Sequence, residues 1–355
     1  MRRIVILMCL LCLWLASASA QVVRLPAMQT GLVTVSGVSA GGFMAVQFEV
    51  AFSTSVIGAG IVAGGPYYCA QGTVYVAATI CSCTSDVLPC RVQPGGTQVP
   101  LLVYDTGQLA RSGLIDPTGG LASHHVWLFS GTADALVPQP VMNDLLSYYR
   151  HYLPASHIRY QNTTPAEHAM PTDSYGNACD FLGSPYINNC GYDGAGQLLQ
   201  WLYGSLSARN DGAPGGSMLE FDQSEFLPQP TLHGMAASGY LYLPPGCDGS
   251  GAGCRLHVIF HGCLQDPTHI GRTFVDHSGY IAWADSNRIV LLFPQAAPLP
   301  LTNPRACWDW FSYDDPRYAT KAGRQMAAIK RMLDRLTGGA ATSALKCRRG
   351  KCTSS

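Results

Sequence analysis

From Leu32 to Phe52 the chain reads LVTVSGVSAGGFMAVQFEVAF. A short β-branched run, Val33 to Val35, leads through Gly37-Val38-Ser39-Ala40-Gly41 into a mostly apolar stretch of helical composition. The pattern is strand, sharp turn, helix, with a serine at the apex and glycines where the turn has no room for a Cβ. Ser39 is therefore the candidate nucleophile. G-x-S-x-G alone also arises wherever small residues let a helix pack closely on a strand, so the strand and helix around it carry the argument.

Upstream, Arg2 and Arg3 precede an apolar run from Ile4 to Leu15, and Ala18-Ser19-Ala20 stands before Gln21. This is the layout of an export signal over residues 1–20 and implies a secreted or periplasmic protein. No later stretch is long and apolar enough to span a bilayer. Of fourteen cysteines, Cys9 and Cys12 fall in the leader, and neither follows the small residue that a lipid-anchoring signal needs. The even number that remains reads as disulfides rather than metal ligands. Cys81-Ser82-Cys83 has no second close pair or histidine cluster beside it, so neither metal nor cofactor is expected. Cys179 with Cys190, Cys247 with Cys254, and Cys347 with Cys352 suit loop staples, although spacing leaves the connectivity open.

Lys and Arg number 22, as do Asp and Glu, so no net field recruits nucleic acid or an anionic membrane. Charged residues make up 12% of the chain, about half the share of an ordinary soluble domain. A weakly charged surface suits a neutral or apolar substrate, and equally a disulfide-stabilised secreted protein. A monomer is the working expectation.

Further strands are expected at Gly58 to Gly64, Val126 to Phe129, His157 to Gln161, Gly239 to Leu243, Leu256 to Phe260 and Ile289 to Phe293. Helical spacing marks Val141 to Leu153, Gln197 to Leu206, Tyr280 to Asn287, and Lys321 to Leu336 with a stop at Gly338-Gly339. Leu101 to Asp105 resembles a strand end, Tyr67 to Arg91 a stapled excursion, and Ser207 to Gly216 has the composition of a flexible connector. The alternation predicts a mostly parallel, doubly wound α/β sheet in one domain over 21–338, with a tail over 339–355.

On such a sheet Ser39, Asp134 and His168 occur in that order, each just after a strand, the order of an α/β-hydrolase. A serine hydroxyl needs a neutral imidazole to take its proton, a role for His168, and a carboxylate to hold that imidazole, a role for Asp134. His124 and His125 lie at the wrong end of their strand, His151 lies in a helix and His157 begins a strand. Asp105 and Asp116 are rival acids, but the Asp134 loop lies one strand before that of His168. Glu167 reads as a solvated neighbour.

Acyl transfer also needs backbone amides where the tetrahedral oxygen becomes negative. One is Ala40 N–H. The other ordinarily comes from an HG-type loop that precedes the serine in sequence. Here the match, His261-Gly262-Cys263, follows the whole triad. Either 256–263 is an unrelated strand or the hydrolase order has been cut and rejoined; the second explains more, with 207–216 joining the old ends and the helix near Leu336 once leading into the Ser39 strand. Cys263 N–H is then the second donor. Cys307 is a reasonable partner for its sulfur and would clip Trp308-Asp309-Trp310-Phe311 over the site. Trp310 and Trp308 are candidate apolar walls for a substrate.

Together the Ser39 turn, Ser130-Gly131-Thr132-Ala133-Asp134, His168-Ala169-Met170-Pro171-Thr172, His261-Gly262-Cys263 and Cys307-Trp308-Asp309-Trp310 resemble the extracellular polyhydroxybutyrate (PHB) depolymerases. The permuted order is similar to that of the single-domain type known from a Penicillium fungus. The resemblance implies a triad at Ser39, Asp134 and His168, an oxyanion hole at Ala40 and Cys263, and a tryptophan-lined ester crevice. It implies a serine esterase acting on poly(3-hydroxybutyrate) and its oligomers. A feruloyl or acetylxylan esterase shares fold and triad, and a non-catalytic binding protein on the same fold is a third, more distant reading.

Overall fold

The computed structural model describes residues 22–339 and two short strands at 347–348 and 351–352. The expected export signal, most of the tail and the Cys347–Cys352 pairing lie outside the described residues or their side chains.

Four strands come first: β1 (Val33–Val38), β2 (Gly58–Val62), β3 (His125–Phe129) and β4 (Ile158–Gln161). A small side sheet follows, β5 (Met170–Thr172), β6 (Asn177–Ala178) and β7 (Ile187–Asn189). The chain returns to the main sheet with β8 (Ser217–Asp222), β9 (Ser238–Leu243), β10 (Arg255–Phe260) and β11 (Ile289–Phe293). The main sheet runs β4-β3-β2-β1-β10-β11-β9-β8. It is parallel from β4 through β11, while β9 is antiparallel to both β11 and β8. Every residue of β1, β2 and β11 is buried, as continuous apolar strands covered on both faces by helices require.

The chain therefore starts at the sheet centre, builds outward to β4, crosses to the opposite edge at β8 and works back inward. The helix Arg324–Thr337 ends beside the approach to β1: Met28 N donates to Arg335 O at 2.9 Å and Thr30 N to Leu336 O at 3.0 Å. This is an α/β-hydrolase sheet whose ends meet just before the Ser39 strand.

Two readings of the sequence are corrected. Leu101 to Asp105 lies within the helix Val99–Arg111, where buried Leu102 and Thr106 stand one turn apart, a period that a five-residue window misses. Ser207 to Gly216 has a loose composition but a fixed path. The Asp285 carboxylate accepts from Asn210, Gly215 N and Gly216 N, and Arg209 pairs with Asp173, Asp193 and Asp211. The stapled excursion contains the helix Val74–Thr79, capped by Thr73 and too short to show a period.

Among the described residues five disulfides are present: Cys69–Cys81, Cys83–Cys90, Cys179–Cys190, Cys247–Cys254 and Cys263–Cys307. Cys81 and Cys83 thus staple separate loops, which removes the thiolate-metal reading of that pair.

The helix Ala40–Ala51 lies so close to β10 that a Cβ on Gly41 would sit 2.1 Å from Phe260 O and 2.5 Å from His261 O. Gly41→Ala is expected to destabilise the fold by about 3 kcal/mol, read as a lowered urea midpoint with unchanged slope.

Candidate active site

Ser39 sits between β1 and the helix with φ 58° and ψ −126°, a strained conformation for a residue with a Cβ. Its N–H is tied to Val62 O at 2.9 Å, which fixes the turn and aims the side chain out of the sheet. Ser39 lines a cavity of about 640 Å³ that His168 also lines. Among the described residues Ser39 Oγ makes no hydrogen bond. Serine–histidine contacts of this kind commonly tighten only when substrate is bound.

Asp134 follows β3 and His168 follows β4, and both are buried. His168 Nδ1 lies 3.1 Å and 3.0 Å from the two Asp134 carboxylate oxygens. Asp134 is itself aimed by Leu136 N and Val137 N, which donate to its Oδ1 at 3.0 Å and 2.7 Å. The two loops are sewn together by their backbones, Thr132 N to Thr164 O and Ala133 N to Ala166 O. Burial alone pulls the His168 pKa down. The Asp134 charge and hydrogen bond, helped by the charge of Glu167, outweigh it and leave the pKa above the ordinary histidine value.

The rival groups have other duties. His124 is buried against Glu49, with Nδ1 to Oε1 at 3.0 Å, and Asp116 holds Thr54 and Lys321. Asp105 lies on the Val99–Arg111 helix.

His261-Gly262-Cys263 follows β10 and meets the Ser39 turn directly, since a Cβ on Gly262 would lie 3.2 Å from Ser39 Cβ. Gly262 N donates to Gln265 Oε1 and Leu264 N to Arg305 O. Among the described hydrogen bonds the amides of Ala40 and Cys263 donate to no protein group, and both residues line the cavity. His261 is a structural residue: its Nδ1 lies 2.6 Å from Gly262 O, its Nε2 accepts from Ala296 N, and burial lowers its pKa.

Trp310 lines the cavity and stacks on Phe43, one turn into the Ser39 helix, with ring centroids 3.9 Å apart. Trp308 does not reach the cavity. It is fully buried and donates Nε1–H to His261 O at 2.9 Å, so its place as a substrate wall is corrected to support of the 261–263 turn. The chain turns between the two, Trp310 N donating to Trp308 O at 3.0 Å, so their side chains do not share one extended face.

Two further residues escaped the sequence reading. Glu167 is not merely solvated: its carboxylate accepts from Ala135 N at 3.2 Å and His168 N at 2.6 Å, joining the acid and base loops. Buried Gln265 accepts from Gly262 N and donates to Pro185 O and Tyr186 O. Neither has a local sequence signal, because each partner is distant in the chain or is a backbone group.

No family model matches the chain. It is 47% identical over 322 residues to a poly(3-hydroxybutyrate) depolymerase of Delftia acidovorans, covering 89% of this chain and 62% of that relative. It is 37% identical over 341 residues to a polyhydroxybutyrate depolymerase of Talaromyces funiculosus, covering 92% of this chain and 96% of the relative. The chain belongs to the PHB depolymerase family. Solved structures agree. A PHB depolymerase (S39A) complexed with an R3HB trimer superposes with a TM-score of 0.79 at 36% identity, covering 89% of this chain and 99% of that one. The PHB depolymerase from Penicillium funiculosum gives 0.78 at the same identity and coverage.

Within this depolymerase fold, Glu167→Gln keeps an acceptor for both amides but removes a charge that favours protonated His168. As a general base His168 would work as neutral imidazole, so the acid limb of kcat/KM is expected above about pH 6.5 and is expected to move to lower pH in Glu167→Gln. A pH–rate profile on a soluble ester checks the direction.

Proposed function

We propose that this chain is a secreted serine esterase that hydrolyses poly(3-hydroxybutyrate) and its oligomers through an acyl-enzyme. The observation that carries the reading is one mostly apolar cavity lined by a strained serine, a carboxylate-held histidine and two free backbone amides, within the PHB depolymerase family.

Ser39 Oγ attacks the ester carbonyl as His168 takes its proton, and Asp134 stabilises the resulting imidazolium. The Ala40 and Cys263 amides receive the oxyanion. The acyl C–O bond breaks and the leaving alcohol takes the proton from His168. Water, deprotonated by the same imidazole, then releases the acid and restores Ser39.

The surroundings suit an apolar polyester. Phe43, Leu136, Val137, Trp310 and Phe311 line the cavity, and the buried Trp310 Nε1 has no hydrogen-bond partner among the described residues. That leaves a donor for a substrate oxygen. Val74 and Leu182 on the lining are 64% and 41% exposed, and Val87 and Leu301, next to lining residues, are 88% and 96% exposed. Such a rim can lie on a solid polymer face. The leader pattern and the disulfides support secretion. No described helix is long and apolar enough to cross a membrane.

Ser39→Ala is expected to cut release of 3-hydroxybutyrate acids from polymer film by about 10⁴-fold or more while melting as the parent does; retained release removes Ser39 as nucleophile. The same film run beside feruloyl and acetylxylan substrates tests the ester class. Trp310→Ala should reduce turnover of polymer and oligomers more than that of a short soluble ester, whereas equal losses would make Trp310 a packing residue.

A further inference from the structure

Besides His168, the charged side chains that line the cavity are Arg305 and Asp86. They pair with each other, Arg305 Nη2 to Asp86 Oδ2 at 2.6 Å, and Arg305 Nη1 reaches Thr84 O at 3.4 Å. The two come from different supports. Asp86 lies in the loop closed by Cys83–Cys90. Arg305 is anchored to the oxyanion turn, because its carbonyl accepts from Leu264 N at 2.7 Å. Two residues on, Cys307 exchanges hydrogen bonds with the Asn303 side chain and is bonded to Cys263.

The backbone under Arg305 is thus fixed relative to Ser39, and the ion pair itself is cheap to open. Its side chains are 43% and 79% exposed, and exposed pairs contribute little net stability. A guanidinium offers planar, paired donors that match any carboxylate, not only that of Asp86.

We propose that Arg305 is a binding site for the terminal carboxylate of soluble hydroxyalkanoate oligomers, held by Asp86 until such a substrate displaces it. The proposal rests on the polyester-hydrolase reading above. In a hydroxyacid oligomer the free carboxylate belongs to the part that leaves as the alcohol. When Ser39 Oγ bonds to the acyl carbon and the acyl C–O bond breaks, the departing oxygen takes the proton from His168 and carries the carboxylate away. Arg305 therefore acts on the leaving-group side and sets the number of monomers between the cleaved ester and the carboxyl end. An internal segment of polymer carries no such charge and leaves the Arg305–Asp86 pair closed.

The test compares the 3-hydroxybutyrate trimer as free acid and as its methyl ester, with products separated by chromatography. The intact enzyme should favour the acid about tenfold in kcat/KM, and salt should shrink that preference. Arg305→Gln should raise KM for the acid alone, bring the ratio to near one and blur the cleavage position. Asp86→Asn should lower KM for the acid and leave the ester unchanged. Equal use of acid and ester by the intact enzyme, with Arg305→Gln without effect on either, overturns the carboxylate site while leaving the esterase reading intact. Failure to cleave either trimer or polymer film overturns both.

Discussion

The close approach of three backbones around Ser39 is the constraint on which the rest depends. β1, the first turn of its helix and the 261–263 turn meet closely, with no room for a Cβ at Gly41 against Phe260 O and His261 O, and with a tight 3.2 Å approach of a Gly262 Cβ to Ser39 Cβ. Beside this contact Ser39 stands at a positive φ, and Ala40 and Cys263 line one cavity with it. A side chain at Gly41 would force the helix away from the 260–261 backbone.

The second support is the seam between the loops after β3 and β4. Backbone hydrogen bonds, the Asp134–His168 pair and the Glu167 carboxylate all cross it. Gln265 links this side to the oxyanion side: its amide donates to Tyr186 O, which also accepts from Met170 N two residues beyond His168. Asp134, His168 and the 261–263 turn are therefore held in one continuous polar framework.

Much of this was legible in the sequence where a local pattern reflects a local force. Continuous β-branched and aliphatic runs marked the buried strands β1, β3, β10 and β11 because parallel strands have two covered faces. The order of the motifs pointed to the cut in the chain, with HGC after the triad, and the pairing of β10 with β1 excludes an unrelated strand there. Less legible were the helix at 99–111, whose buried face shows only over its full length, and the loop at 207–216. That loop is rich in glycine and polar residues yet is held by Asp285, a partner some seventy residues away.

The sequence by itself determined the elbow, the class of fold, the disulfide chemistry and the identity of the nucleophile candidate, because each depends on residue types within a few positions of one another. Only the tertiary structure decided which tryptophan faces the cleft, that Glu167 joins two loops, and that Arg305 pairs with Asp86 on the cavity lining. Those roles depend on which way a side chain points and on what a distant segment brings to meet it. The physical reason is range: periodicity and turn sterics act along the chain, whereas packing and hydrogen bonding act through space.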